Sequence, residues 1–144
     1  MIKGYTAGAF DLFHIGHLNL LKRAKEHCDY LIVGVTTDEL IERTKNHRPV
    51  IPFEERLEIV KQCKYVDEVV TQDDLDKVKA WENIHYDLLF SGDDWKNSER
   101  WINYGKELEK RGASIIYFPY TRTTSSTLLT KVLKEIEKQN FEVV

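Results

Sequence analysis

Short apolar runs rich in β-branched residues alternate along this chain with longer stretches whose apolar positions recur every three or four residues. That alternation predicts an α/β protein, with parallel strands covered by helices. Residues 2–7 (IKGYTA) form the first expected strand, and residues 17–27 a helix with Leu18, Leu21 and Ala24 on one face. Residues 29–36 (DYLIVGVT) then read as a buried strand, which completes a βαβ unit. A short helix in TDELIER leads into the basic loop TKNHRPVI, and Pro52 opens a helix over 53–63 ahead of a third strand at 66–70. The pattern continues with a helix at 77–84, a strand at 86–91, a helix at 99–111 stopped by Gly112, a strand at 113–119 and a last helix from about Ser125. The expected whole is one Rossmann-like domain over residues 1–144: a five-stranded, mainly parallel sheet with helices on both faces. In such sheets ligands sit beyond the C-terminal ends of the strands, where the strand order reverses.

Composition narrows the function classes. At 144 residues the chain can bury a continuous core without metal or disulfide staples, and Cys28 and Cys63 have neither CxxC spacing nor a zinc-type histidine pair. A formal net charge of -3 argues against a broad nucleic-acid-binding face, so any phosphate is expected to be bound locally. The apolar runs fall short of the roughly 20 residues that cross a bilayer. The start MIKGYTAGAF has no secretory pattern, which makes the cytoplasm the expected compartment and membrane and nucleic acid unexpected partners.

The chemistry concentrates where the first strand turns into the first helix, GAFDLFHIGH. A helix N-terminus offers free N–H groups and a favourable dipole to an anion. His14 and His17 flank that turn, and Gly16 between them removes the Cβ that would hold a phosphate away from the backbone. Two imidazoles can donate to phosphoryl oxygens. The competing reading is an ordinary helix start at which one histidine is a cap. Neither the GxGxxG fingerprint nor a Walker A loop is present.

The stretch His14-Ile15-Gly16-His17 resembles the HxGH signature of the nucleotidyltransferase superfamily that includes the cytidylyltransferases. RPVIPFEER with KYVDEVV resembles its middle segment, SGDDW (91–95) the element after its fourth strand, and RTTSST (122–127) its RTxGxSTT signature, here shorter and without the glycine. Four motifs in order cover nearly the whole chain, and length together with GDDW gives a likeness to the short glycerol-3-phosphate cytidylyltransferases. The resemblance implies that a substrate phosphate attacks the α-phosphorus of CTP in line, giving a CDP-alcohol and pyrophosphate without a covalent enzyme intermediate.

By that resemblance Ala9 and Phe10 line the nucleotide, His14 and His17 meet the triphosphate, and Asp94 contacts the nucleotide. Arg122 supplies a fixed charge to the nucleotide and is counted with His14 and His17 among the catalytic groups, while Ser125, Ser126 and Thr127 offer hydroxyl and N–H groups to the β- and γ-phosphates at a second helix N-terminus. Lys45 and Arg48 form a basic loop facing both substrates, with Lys45 counted among the catalytic groups. Arg56, poorly placed for stability near a helix start, and Lys64, where the family has arginine, are expected on substrate phosphate. For Asp11, orientation of the loop is favoured over ligand or metal binding, and for Trp95, packing over stacking on a ligand. Magnesium is expected to arrive with CTP, no carboxylate cage being encoded. A homodimer and a role in making a cell-surface polymer are further implications of the likeness. Two rivals stand beside it: the same chemistry on phosphocholine, phosphoethanolamine, ribitol phosphate or with ATP, and a regulatory module that binds nucleotide without turnover.

Overall fold

The computed structural model describes residues 1–119 and 125–138. Five strands are observed: β1 (Lys3–Gly8), β2 (Tyr30–Thr36), β3 (Glu68–Gln72), β4 (Leu88–Gly92) and β5 (Ser114–Phe118). Six α-helices alternate with them: α1 (Ile15–Glu26), α2 (Asp38–Lys45), α3 (Phe53–Lys61), α4 (Lys77–Ile84), α5 (Glu99–Lys110) and α6 (Ser126–Lys138). A single 3₁₀ turn, Asp93–Trp95, follows β4. The expected elements are all present with ends moved by no more than two residues; β3, for instance, begins at Glu68 and not at Val66, and β4 at Leu88 and not at Tyr86.

Strand order is β3-β2-β1-β4-β5, and every neighbouring pair is parallel. The order reverses between β1 and β4, so the ligand crevice should open beyond the carboxyl ends of the strands near Gly8, Thr36, Gln72 and Gly92. Two apolar layers hold the sheet. On one face Leu21 and Ala24 of α1 and Val60 of α3 pack on Leu31, Val33, Phe90 and Phe118. On the other, Leu108 of α5, with Ala80 and Trp81 of α4, packs on Tyr5, Ile32 and Leu89. The single α/β domain with helices on both faces is thus as the hydrophobic pattern predicts. Among the described residues no helix is long and apolar enough to cross a membrane.

Candidate active site

The site is built on the turn that joins β1 to α1. Phe10 and Leu12 both hold positive φ, 52° and 50°, a region that costs a residue bearing a Cβ energy and that persists where surrounding contacts dictate it. Phe10 is 4% exposed, so the bend is anchored in the core. The Asp11 carboxylate, itself buried, accepts from the N–H groups of Val50 (2.8 Å) and Ile51 (2.9 Å). It therefore orients the basic loop against the β1–α1 turn. The hydroxyl of Ser126 donates to the Asp11 carbonyl, which brings the start of α6 to the same turn.

His14 and His17 form a reciprocal cap. The Gly16 N–H donates to His14 Nδ1 at 3.0 Å, and the His14 N–H donates to His17 Nδ1 at 3.2 Å. Because both Nδ1 atoms accept, the proton of each neutral ring sits on Nε2. The rings stack with centroids 3.9 Å apart, and the His17 ring lies 5.4 Å from both Phe10 and Phe13. Burial in this aromatic nest, reinforced by the neighbouring His14 and only partly offset by Asp11, pushes the His17 pKa down to about 4. Burial also lowers that of His14. Near neutral pH the turn thus presents uncharged imidazoles with Nε2–H donors. The capping reading and the phosphate reading are compatible, since capping occupies Nδ1 alone. His17 lines the cavity described next, with His14 stacked on it.

Two cavities meet over the carboxyl edge of β1, sharing Ala7, Gly8, Ala9, Leu20, Ile41 and Lys45. The smaller, about 470 Å³, runs between the β1–α1 turn and α6 and is lined by Phe10, Asp11, His17, Ser126 and Thr127, with His47, Thr130, Lys131 and Lys134. The larger, about 660 Å³, extends across the ends of β2, β3 and β4 to Asp94 and Trp95 and to the aromatic side chains of Trp101 and Tyr104 on α5. Its floor holds Thr36, Gln72 and the buried Lys77. Burial lowers the Lys77 pKa to about 8, partly opposed by Asp76 and Asp74.

Most residues expected to form the site gather here, but four do not occupy the positions expected of them. Arg56 is fully buried: Nε donates to the Ile51 carbonyl (2.8 Å), one terminal nitrogen to the Ala9 carbonyl (2.6 Å) and the other to Asp38 Oδ1 (2.7 Å). It is a clamp that ties the β1–α1 turn to the starts of α2 and α3, with no exposed surface to offer a substrate phosphate. Arg48 is exposed and paired with Glu42 of α2 at 2.8 Å, and His47 lines the smaller cavity in its place. Lys64 precedes β3, at the amino edge of the sheet, with its amine over the Tyr65 ring at 5.2 Å. It is on the wrong edge for a ligand held at the carboxyl ends. Trp95 is 59% exposed at the rim of the larger cavity and so does not pack as expected.

Lys45 ends α2 on the wall common to both cavities, and Asn46 turns the chain there at φ 58°. Ser125 accepts from the Leu128 N–H and is the helix cap, which leaves Ser126 and Thr127 on the cavity wall. Arg122 lies outside the described residues. Thr130, Lys131 and Lys134 escape the motif reading, although with Thr127 they recur at the i, i+3, i+4, i+7 spacing that marks one helix face. Thr36, Gln72 and Lys77 belong to no contiguous motif and become a set only through the sheet. No group of three or more His, Cys, Asp or Glu side chains that could hold a metal ion is found among the described residues.

Glycerol-3-phosphate cytidylyltransferase of Bacillus spizizenii is 37% identical over 134 residues, covering 91% of this chain and 96% of that protein. FAD synthase of Thermococcus kodakarensis is 34% identical over 140 residues, covering 94% and 91% respectively. Among solved structures, the lipopolysaccharide core biosynthesis protein of Thermoplasma volcanium superposes with a TM-score of 0.70 at 26% identity, over 86% of this chain and 99% of that one. Residues 5–140 match the family described as cytidylyltransferase-like, and the chain accordingly belongs to that family of nucleotidyltransferases.

Proposed function

We propose that this enzyme transfers a cytidylyl group from CTP to an alcohol phosphate, with sn-glycerol 3-phosphate as the first acceptor, giving CDP-glycerol and pyrophosphate. The observation that carries the reading is the pair of cavities joined at Ala7–Ala9 and Lys45, one lined by hydroxyls and cations and the other by aromatic and polar side chains. In it, an acceptor phosphate oxygen attacks the α-phosphorus of CTP. The new P–O bond forms as the bond to the bridging α–β oxygen breaks, and that electron pair leaves on pyrophosphate. No nucleophilic side chain is needed, so the protein's task is alignment and stabilisation of the charge that develops.

In this reading the smaller cavity takes the triphosphate tail. Thr127 and Thr130 offer hydroxyls, Lys131 and Lys134 offer charge, and the imidazoles aim Nε2–H donors at phosphoryl oxygens, while Ser126, whose hydroxyl is spent on the Asp11 carbonyl, holds the start of α6 in place. Arg122 is proposed to add a fixed charge next to this group. Lys45, on the shared wall, meets the two reacting phosphates. Asp94 and Trp95 stand at the nucleoside end of the larger cavity. Magnesium enters as the MgCTP complex and is therefore part of the substrate. The homodimer, the cytoplasmic location and the supply of a cell-surface polymer belong to the same proposal.

A panel of nucleoside triphosphates against alcohol phosphates, read by pyrophosphate release, tests it. We expect turnover with CTP and sn-glycerol 3-phosphate in the presence of Mg²⁺. Turnover only with ATP would reassign the nucleotide, and nucleotide binding with no turnover on any acceptor would leave a regulatory module. Sedimentation of the purified chain checks the dimer.

A further inference from the structure

The cations of α6 in the smaller cavity are charges that none of the sequence motifs explains. Thr127, Thr130, Lys131 and Lys134 line that cavity from one face of the helix. From Thr127 to Lys134 the row runs about 10 Å along the axis at the ordinary helical rise. Among the described residues neither of these lysines has an ion-pair partner. Glu135 stands four residues from Lys131, at the spacing of a helical pair, yet it meets Lys138 at 3.6 Å, and Lys138 is not on the cavity wall. The carboxylate that does line the cavity, Asp11, has both oxygens engaged by the N–H groups of Val50 and Ile51. Lys45 adds a further cation. On a merely solvated helix face lysines would need no cavity in front of them. Here an elongated space of about 470 Å³ is walled by hydroxyls and by ammonium groups that nothing described neutralises.

We propose that this cavity binds free linear oligophosphates and holds a chain of three or more phosphates tighter than pyrophosphate. A diphosphate is two tetrahedra sharing one oxygen. It can meet Thr127, Thr130 and Lys131, which lie within about one turn, but it is too short to engage Lys134 a turn further on as well. Helical side chains all lean toward the N-terminus, so the row keeps this spacing at its tips. A third phosphate brings Lys134 into a charge-assisted contact and adds negative charge where cations are in excess. No nucleoside takes part in this recognition, which makes the oligophosphate a ligand in its own right. The same row lets pyrophosphate go, because two phosphates leave Lys134 unengaged. That an oligophosphate shuts out CTP rests on the cytidylyl-transfer reading, in which the triphosphate tail lies in this cavity; the oligophosphate is then an inhibitor competitive with CTP.

Calorimetric titration of the full chain with inorganic pyrophosphate, tripolyphosphate and tetrapolyphosphate in magnesium-free buffer, on the wild type, Lys134→Met and Lys138→Met, tests the proposal. Each variant removes one exposed charge from α6 at similar volume, and of the two lysines only Lys134 lines the cavity. The wild type should bind tripolyphosphate about tenfold tighter than pyrophosphate, the scale of one added charge-assisted contact. Lys134→Met should abolish that gap while leaving pyrophosphate affinity unchanged, which also shows that the variant is folded. Lys138→Met should keep the gap. Equal affinities for the two chain lengths in the wild type, or the same loss in both variants, would reduce the effect to bulk charge attraction and overturn the proposal. Addition of CTP to the tripolyphosphate complex separates the two readings. Failure of CTP to displace it, with the chain-length preference intact, refutes the placement of the triphosphate tail and spares the oligophosphate site; pyrophosphate release from CTP without any chain-length preference does the reverse.

Discussion

The two histidines of the HxGH turn cap α1 through one ring nitrogen and are proposed to serve the chemistry through the other, and that division governs what their removal should do. Each Nδ1 is committed to a backbone N–H of the first turn of α1, so alanine at either position removes a cap worth about 1 kcal/mol. Each Nε2–H is the group proposed to meet a phosphoryl oxygen, and loss of one such preorganised donor typically costs on the order of 10²-fold in rate. His14→Ala and His17→Ala should therefore lower kcat far more than they weaken CTP binding, with a modest drop in melting temperature. Measuring kcat, CTP affinity and unfolding on the same samples separates the effects, and near wild-type kcat per folded molecule would leave the pair with capping alone. The existence of this turn was legible from the sequence because a Gly between two His at a strand-to-helix junction is a local pattern. The fate of Arg56 was not. Its partners are the carbonyl of Ala9, 47 positions away, and the carboxylate of Asp38, and only folding brings them within 3 Å.

At the scale of elements, the basic loop between α2 and α3 is positioned by Asp11, and its charges divide by where the chain points them. Lys45 closes α2 on the wall of both cavities, whereas Arg48 turns back to Glu42 with both side chains more than half exposed. Exposed pairs of this kind contribute little to stability. Lys45→Ala should raise KM for both substrates by an order of magnitude or so, and Arg48→Ala should change neither, which steady-state kinetics on the two variants will show. Asp11→Asn replaces one carboxylate oxygen with an N–H₂ that faces a backbone N–H of Val50 or Ile51. Leaving that donor unmatched should cost about 1–3 kcal/mol and loosen the loop. The expected readouts are faster amide exchange over residues 46–52 and a higher KM. Sequence spacing alone treats Lys45, His47 and Arg48 as equivalent loop residues; the left-handed turn at Asn46 is what separates them. Lys64, by contrast, was open to correction from the element order, since a residue before β3 lies at the edge opposite the ligand.

For the whole molecule, buried titratable groups set an unusual dependence of stability on pH. His17 has a folded pKa of about 4 against an ordinary value of 6.5, so between these values the unfolded chain binds more protons and stability falls as the solution is acidified. Lys77 titrates near 8 when folded against 10.5 when unfolded, so over that interval too the unfolded chain binds more protons, and stability rises with pH. Tyr5 and Tyr86 act in the opposite sense: burial raises both above their ordinary value of 10, so the unfolded state loses those protons first and stability falls above that pH. The unfolding free energy should accordingly climb from about pH 4 to 6.5, hold to about 8, climb again and turn down above about 10. Denaturant titrations at half-unit steps would trace the curve. In His17→Gln the acid limb should flatten by up to about 1.4 kcal/mol per pH unit, and in Lys77→Met the second climb should vanish because stability at neutral pH is already higher. A Lys77→Met variant less stable than wild type at pH 7 would mean that the Gln72 and Trp101 contacts outweigh the cost of burying the charge. The ammonium would then be a structural strut, held by Gln72 Oε1 at 2.8 Å and by the face of Trp101 at 6.0 Å, and its burial would no longer imply strain.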